Sequence, residues 1–178
     1  QAYHGYWARS AREVEERFGA EAALKRLVKT AHDNGIRVVM DYVLNHVHVD
    51  HPYFDNPDWI NGIDEDCICG ITCPWGENML TCWFDPFLAD LNWKNPEVVE
   101  QLTDDAMFWL EHFDLDGLRL DAIPMMPRLA TRQLRKKIDD TWDQKFNHTY
   151  LLGETYTGSA GHGQIRHYLG KYGLSGQF

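Results

Sequence analysis

The sequence predicts an α/β fold built on a parallel sheet, because strand-like and helix-like patterns alternate along its 178 residues. Short apolar runs are each followed by a stretch with apolar residues at helical spacing. The second and third strand-like runs begin about 33 residues apart, the length of one ordinary strand-helix repeat. Apolar residues make up 44% of the chain and charged residues 25%, a composition typical of a globular protein.

The first helix is predicted at about residues 20–34, where Gly35 follows in the position of a helix-ending glycine. A β-branched run at 36–44 then predicts a strand buried on both faces. The apolar positions that define the first helix are Leu24, Leu27, Val28 and Ala31.

Asn95 followed by Pro96 predicts the start of the second helix, since asparagine caps helices and proline suits the first helical position. Further strands are predicted at 117–121 and at 150–153. A third and a final helix are marked by Leu134, Ile138 and Trp142, and by Ile165, Tyr168, Leu169 and Tyr172, respectively.

Residues 47–93 separate the first predicted strand from the second helix and show little periodicity. This long segment, rich in Asp, Asn, Pro, Gly, Cys and Trp, leaves the carboxyl end of a strand. Folds of this class place their chemistry at that end of the sheet.

Charge and composition exclude several partners. The chain has 17 basic and 27 acidic residues, and its net charge of −10 argues against nucleic acid and anionic membrane surfaces. No apolar run approaches the length of a membrane span. The aromatic content of 13% suits ring-shaped ligands such as sugars, although aromatic residues more often simply build the core.

Charged side chains lie at or near the carboxyl ends of three successive predicted strands. Asp41 lies in the first, Arg119 and Asp121 share one face of the second, and Glu154 ends the third. Each alone could be a buried ion pair or a helix cap, but three on one sheet indicate a site. Two carboxyl groups at neighbouring strand ends are what glycoside hydrolysis requires.

At these positions the sequence resembles the α-amylase family of glycoside hydrolases, which are (β/α)₈-barrel enzymes. The resemblance consists of five separated blocks in the family's order. They are residues 2–7 (AYHGYW), 41–46 (DYVLNH), 88–92 (LADLN), 117–122 (GLRLDA) and 153–154 (GE).

The resemblance implies a partial (β/α)₈ TIM barrel with an irregular inserted domain after the third barrel strand. The barrel parts would be residues 1–46 and 94–178, and the insert residues 47–93. The family's third catalytic carboxylate belongs to an Asn-His-Asp block on the seventh strand, which has no counterpart here. We therefore expect this chain to be the central segment of a longer enzyme.

The resemblance also implies roles for the residues at the strand ends. Asp121 would be the nucleophile, and Glu154 the general acid and then the base. Arg119 would orient Asp121 and keep it ionised, while the apolar run before Glu154 would bury that residue and raise its pKa. The subsite that holds the reacting sugar would be formed by His4, Tyr6, Trp7, Asp41 and His46.

The substrate implied by the resemblance is an α-glucan or maltooligosaccharide, and hydrolysis is favoured. The segment 122–125 departs from the family's usual Lys-His at the leaving-group side, so transfer or trehalose-forming isomerisation stays an alternative. A catalytically dead carbohydrate-binding relative is disfavoured, because Arg119, Asp121 and Glu154 are all present.

The resemblance further implies a structural Ca²⁺ between barrel and insert. Asn45 and Asp90 match two side-chain ligands of that site, and Met125 would contribute its backbone carbonyl. Asp64, Glu65 and Asp66 are further acidic candidates. The alternative is that Asn45 caps a turn and Asp90 is solvated.

The four cysteines, Cys67, Cys69, Cys73 and Cys82, all lie in the insert. They predict either two disulfides in a secreted or periplasmic protein or a Cys₄ zinc site. Disulfides are favoured because C-x-C differs from the usual zinc spacing and the family resemblance suggests export. Four cysteines allow three pairings, and the sequence does not select one.

Overall fold

The computed structural model describes residues 3–63, 66–142, 149–155 and 161–177. Ala2, Asp64 and Glu65, which were singled out in the sequence, lie outside these ranges. In chain order the helices and strands are α1 (Ala20–Asp33), β1 (Val39–Tyr42), β2 (His46–His48), α2 (Trp75–Asn78), β3 (Leu88–Asp90), α3 (Pro96–His112), β4 (Gly117–Leu120), α4 (Arg128–Thr141), β5 (Tyr150–Gly153), α5 (His162–Tyr168) and β6 (Gly176–Gln177).

The main sheet is parallel and has the strand order β1-β4-β5-β6. Its register places Asp41 beside Arg119, and Arg119 beside Leu152. The predicted α/β alternation is therefore confirmed. The sequence did not predict the two-residue strand β6, which is too short to show a periodic pattern.

Strand β1 differs from its prediction. It covers four of the predicted residues and lies at an edge of the described sheet, with β4 as its neighbour. Val39 is 40% exposed, so the expectation of a strand buried on both faces is wrong for this chain. The β-branched composition correctly indicated a strand but could not indicate how many neighbours cover it.

The core lies between the sheet and helices α3 and α4. Leu118 and Leu120, on the face of β4 opposite Arg119, are fully buried, as are Leu134 and Ile138 of α4. Because Leu118 and Leu120 pack into this core, the alternation of side chains along β4 directs Arg119 to the opposite face of the sheet.

The helix predictions hold with shifts at their ends. Asn95 caps α3 by accepting a hydrogen bond from the Glu97 backbone N–H at 2.9 Å. Helix α4 ends before Trp142, and α5 ends at Tyr168.

Helix α1 buries a narrower face than predicted. Val28 is buried, but Leu27 is 56% exposed. The helix also meets the end of α3 through polar contacts, with His112 Nε2 lying 2.9 Å from a Glu21 carboxylate oxygen. Polar contact of this kind does not require the wide apolar stripe expected from the spacing.

The insert is a loop-rich region closed at its base by the antiparallel pair β2 and β3, in which His46 lies opposite Asp90. Two disulfides cross-link its middle, Cys67–Cys73 and Cys69–Cys82, with Cα–Cα distances of 5.3 and 5.1 Å. These bonds select one of the three pairings and use all four cysteines, which excludes the zinc alternative in this structure.

We predict that intact protein made in an oxidising compartment contains both disulfides. Its mass should be lower by four hydrogen atoms than that of the reduced chain, and peptide mapping should link Cys67 to Cys73 and Cys69 to Cys82. Reduction before alkylation serves as the control. Four thiols free to alkylate together with one bound zinc would contradict this pairing.

Within the described ranges, no helix is long and apolar enough to cross a membrane.

Candidate active site

The three predicted strand ends meet at one edge of the sheet. The backbone N–H of Asp121 donates to Tyr42 O at 3.0 Å, and that of Glu154 donates to Leu120 O at 3.0 Å. These bonds continue the strand ladder by one residue past β4 and β5. Both carboxyl groups are thus set on rigid backbone at the carboxyl end of the sheet, as predicted.

A single guanidinium group connects the carboxylates of all three strands. Arg119 Nη1 lies 2.6 Å from Asp41 Oδ1 and 2.7 Å from Asp121 Oδ1, and Arg119 Nη2 lies 3.0 Å from Glu154 Oε2. The Arg119 side chain is 14% exposed. Burial lowers the pKa of Arg119, but the hydrogen bond to Asp41 and the three negative charges outweigh burial and raise it. Arg119 therefore stays charged and holds the cluster together.

The two candidate catalytic carboxyl groups differ in burial. The side chain of Asp121 is 15% exposed and that of Glu154 is 32% exposed. Burial raises the pKa of Asp121 to about 6, although the charge of Arg119 lowers it; the charge of Glu154 and a hydrogen bond with it raise the pKa further. The burial expected for Glu154 is thus partial, and Asp121 is the more buried of the two.

This raised pKa predicts that Asp121 destabilises the fold at alkaline pH. In the unfolded chain its carboxyl ionises near pH 3.8, but in the folded chain near pH 6. Its contribution is therefore most favourable below the lower value and declines as pH rises through the higher one.

Asp121→Asn should consequently raise the stability of the complete enzyme at pH 8 relative to pH 4, by up to about 3 kcal/mol. Paired thermal melts of mutant and wild type at the two pH values measure this. Asp140→Asn, at an exposed carboxylate, is the control and should show no such pH trend. An equal shift at both pH values in Asp121→Asn would contradict the argument.

Two backbone features place Glu154 beside Asp121. Ala122 adopts a left-handed conformation, φ 53°, and its N–H lies 3.3 Å from Glu154 Oε2. Gly153 leaves no space for a side chain, because a Cβ there would lie 2.4 Å from Leu174 Cδ1. The chain thus accepts a strained residue at 122, at a cost of about 1–3 kcal/mol, directly after the candidate nucleophile.

The N-terminal segment completes the cluster. Tyr6 donates its hydroxyl to Asp41 Oδ2 at 2.6 Å, and Tyr6 O lies 3.1 Å from His46 Nε2. His4 stacks on Tyr6 with ring centroids 5.5 Å apart. The predicted substrate residues His4, Tyr6, Asp41 and His46 are therefore brought together around Arg119. Burial lowers the pKa of His46 to about 4, so it is neutral near pH 7.

Two phenylalanines of the insert extend this aromatic surface. Trp7 lies edge-on to Phe87, with ring centroids 4.7 Å apart, and His46 lies edge-on to Phe84 at 5.2 Å. Sequence reasoning singled out neither phenylalanine. The aromatic content of the insert was the only signal, and it does not distinguish rings beside the site from rings in the core.

A buried carboxylate that the sequence analysis missed anchors the N-terminal segment. Asp105 of α3 is 1% exposed and accepts hydrogen bonds from Arg12 Nε at 2.7 Å and from the Tyr53 hydroxyl at 2.6 Å. Trp109 also donates to Ala11 O at 2.7 Å. These bonds hold the segment that carries His4, Tyr6 and Trp7 against α3 and the insert.

Two of the three predicted metal ligands are neighbours in the structure. Asn45 and Asp90 are adjacent and buried, 1% and 2% exposed, with Asn45 O accepting a hydrogen bond from Leu91 N. Met125 is buried in a separate cluster with Ala122 and cysteines of the disulfides. Among the described residues, no three or more His, Cys, Asp or Glu side chains converge as a metal site.

Comparison with known proteins identifies the family. The model of the alpha amylase catalytic domain matches residues 1–60 and 75–162. The chain is 33% identical over 135 residues to alpha-amylase 3 of Schizosaccharomyces pombe, covering 70% of this chain and 24% of that protein. It is 31% identical over 156 residues to the cyclomaltodextrin glucanotransferase of Geobacillus stearothermophilus, covering 78% of this chain and 22% of that protein.

Among solved structures, the alpha-amylase of Geobacillus thermoleovorans, crystallised with acarbose, superposes with a TM-score of 0.81 at 31% identity. The match covers 99% of this chain and 38% of that one. The chain thus spans about a quarter to two fifths of the length of these relatives. Its parallel sheet with alternating helices is a part of a (β/α)₈ barrel, and the chain belongs to the alpha-amylase family.

Proposed function

We propose that the enzyme containing this chain is a retaining glycoside hydrolase that cleaves α-glucosidic bonds in starch-like glucans or maltooligosaccharides. The observation that carries the proposal is the bridge formed by Arg119 between Asp121 and Glu154, with Tyr6 and Asp41 beside it. The acarbose complex of the Geobacillus relative and the glucan-acting relatives support an α-glucan as the substrate class.

In the proposed first step, a carboxylate oxygen of Asp121 bonds to the anomeric carbon while the bond from that carbon to the leaving oxygen breaks. Glu154 gives its proton to the leaving oxygen. In the second step Glu154 takes a proton from water, whose oxygen displaces Asp121. Arg119 supports the ionised form of Asp121 before it attacks and after it is released, because Arg119 Nη1 is 2.7 Å from Asp121 Oδ1.

The mechanism requires the two carboxyl groups to separate when a sugar binds. They share a hydrogen bond here, whereas a retaining pair is about 5–5.5 Å apart. Glu154 is the better placed to rotate, since it is more exposed and its contact with Arg119, at 3.0 Å, is longer than that of Asp121, at 2.7 Å.

The proposal is tested with the complete enzyme and maltoheptaose. NMR during the first turnovers should show reducing ends released in the α configuration. A β product would contradict the retaining mechanism, and products longer than the substrate would favour the transferase alternative that the glucanotransferase relative suggests. Absence of any turnover would contradict the proposal and favour the alternative of a catalytically dead carbohydrate-binding relative.

The residues Asn45 and Asp90 fit a structural Ca²⁺ ion. Burial raises the pKa of the Asp90 carboxyl well above its usual range, although a hydrogen bond from Asn61 opposes this. Among the described residues Asn45 Nδ2 has no hydrogen-bond partner, so its amide is poorly satisfied. A hard cation would compensate the buried Asp90 carboxylate and would be bound by the side-chain oxygen of Asn45, while the Nδ2 donor of Asn45 would not contact it. Asn45 and Asp90 would hold it through their side-chain oxygens, with Met125 O and Asp66 as further candidates.

We predict that Asp90→Asn abolishes stabilisation by calcium. Wild type should gain about 2.7 kcal/mol at a calcium concentration one hundred times the Kd, because the ion binds only the folded state. In chelator at neutral pH the mutant should be at least as stable as wild type, since it no longer buries an ionisable carboxyl.

Calcium-dependent melting temperature measures this, and Asp58→Asn, at an exposed insert residue, is the control. An unchanged calcium response in both Asp90→Asn and Asn45→Ala would place any calcium elsewhere.

The disulfides support secretion or a periplasmic location, because such bonds persist in oxidising compartments.

A further inference from the structure

Trp75 of the insert is exposed, yet it is connected to the candidate active site by a row of rings. The row begins at His46, whose ring is 5.2 Å from Phe84, and continues from Phe84 to Trp75 at 5.9 Å, both contacts being edge-on. His46 is 4% exposed and Trp75 is 44% exposed. The row therefore leads from the wall of the subsite outwards to the surface of the insert.

The position of Trp75 is fixed in spite of its exposure. Its indole packs directly on the backbone of Gly70, where an added Cβ would lie 2.4 Å from Nε1. Gly70 has φ +72°, a conformation that favours glycine, and its N–H donates to Cys73 O at 2.7 Å. Both disulfides close the surrounding loop, since Cys69 and Cys73 flank Gly70 and Cys82 follows α2.

A rigid exposed indole is suited to binding a flat, amphipathic ligand. Binding to a ring that is already positioned loses little conformational entropy, so more of the contact energy contributes to affinity. The chain has a net charge of −10, which favours a neutral ligand over an anionic one. A pyranose ring has an apolar face of hydroxyl-free C–H groups and carries no charge.

We propose that Trp75 is a stacking platform for a glucosyl residue of the same α-glucan chain whose scissile bond lies between Asp121 and Glu154. The occupant is a sugar ring away from the cleaved bond, which only a long oligosaccharide reaches. This inference rests on the proposed function and adds to it a preference for longer chains. Phe84 contacts both His46 and Trp75, so the platform is held at a fixed position relative to the catalytic subsite.

Two other exposed aromatic residues, Phe18 and Tyr172, have no ring contact with this row among the described residues. Phe18 is 79% exposed in the turn Glu16–Phe18, and the described residues give it no ring contact with the row. Tyr172 is 66% exposed beside Lys171. Phe18 therefore provides a matched control, an exposed ring of similar size outside the row.

The test uses the complete enzyme and measures kcat/KM for maltoheptaose and for a short aryl α-glucoside. Trp75→Ala should lower kcat/KM on maltoheptaose about tenfold more than on the short substrate. Trp75→Phe should retain most of the preference for the long substrate, because a ring remains. Phe18→Ala should leave the ratio of the two values at its wild-type level.

Direct binding separates this inference from the proposed function. Maltoheptaose is titrated calorimetrically into Asp121→Asn, with and without Trp75→Ala, and the second substitution should weaken binding about tenfold. If the enzyme hydrolyses glucans but this affinity does not change, the inference is wrong and the function stands. Equal losses on long and short substrates would also overturn it, since they indicate damage to the catalytic subsite. An enzyme that neither binds nor cleaves maltoheptaose would overturn both.

Discussion

Replacing Arg119 with methionine is expected to lower kcat/KM of the complete enzyme on α-glucans by about a hundred- to a thousandfold. Arg119 lies within 3.0 Å of three carboxylates, Asp41, Asp121 and Glu154. Its loss leaves three like charges at one strand edge. The pKa of Asp121, already about 6, must then rise further, because Arg119 is the group that lowers it.

The pH profile shows whether Arg119 acts in this way. Since Asp121 attacks as the carboxylate, activity falls as pH drops through its pKa, and the acid limb should move to higher pH in Arg119→Met. Arg119→Lys keeps the positive charge but not the planar guanidinium group that reaches several carboxylates. It should therefore retain more activity than Arg119→Met, and its acid limb should move less.

Arg37→Met is the control, because it removes an exposed arginine that pairs with Asp116, a residue on the approach to β4 and not at the strand ends. Circular dichroism of each variant reports on folding. An unmoved acid limb in a folded Arg119→Met enzyme would contradict the assigned role.

The sequence alone predicted the parallel sheet and the strand-end carboxylates because both depend on short-range pattern. Alternation along 117–121 places Arg119 and Asp121 on one face whatever surrounds them, and the structure confirms their contact at 2.7 Å. The same reasoning could not anticipate that β1 lies at an edge of the described sheet, since strand neighbours are set by residues far away in the chain.

Two of the features that were missed depend on contacts between distant segments. Asp105 looked like one of several acidic residues on α3, but its partners are Arg12 and Tyr53, 93 and 52 residues away. The β2–β3 pair arises in the same way. The disulfide pairing is local, with cysteines 6 and 13 residues apart, but all three pairings are compatible with the spacing. The burial of Asp121, and with it the raised pKa, follows from the packing of β4 between two strands, which a strand pattern does not show.

The two proposed catalytic carboxyl groups, Asp121 and Glu154, should respond differently to an activated substrate. Glu154→Gln removes the proton that natural glucans need for departure, so their turnover should fall by about 10²–10⁴-fold. Fluoride departs from a glucosyl fluoride without needing that proton, so the first step should still proceed with this substrate. Asp121→Asn removes the attacking oxygen and should abolish the reaction of both substrates.

Intact-mass measurement then identifies the nucleophile. With glucosyl fluoride, Glu154→Gln should accumulate one covalent glucosyl group, and peptide mapping should place it on Asp121, because the base for the second step is missing. No such adduct is expected in Asp121→Asn.

Azide provides the final discrimination, because it attacks without needing a base. Added to Glu154→Gln it should restore turnover and release α-glucosyl azide with retained configuration, since it displaces Asp121 from the opposite face. Added to Asp121→Ala it can only take the place of the nucleophile, and any azide product should have the inverted configuration. Identical responses in the two variants, or an adduct on Glu154, would reverse the assignment. The geometry favours the stated assignment, since Arg119 contacts Asp121 at 2.7 Å and Glu154 at the longer distance of 3.0 Å, and Glu154 is the more exposed group and so the freer to approach the leaving oxygen.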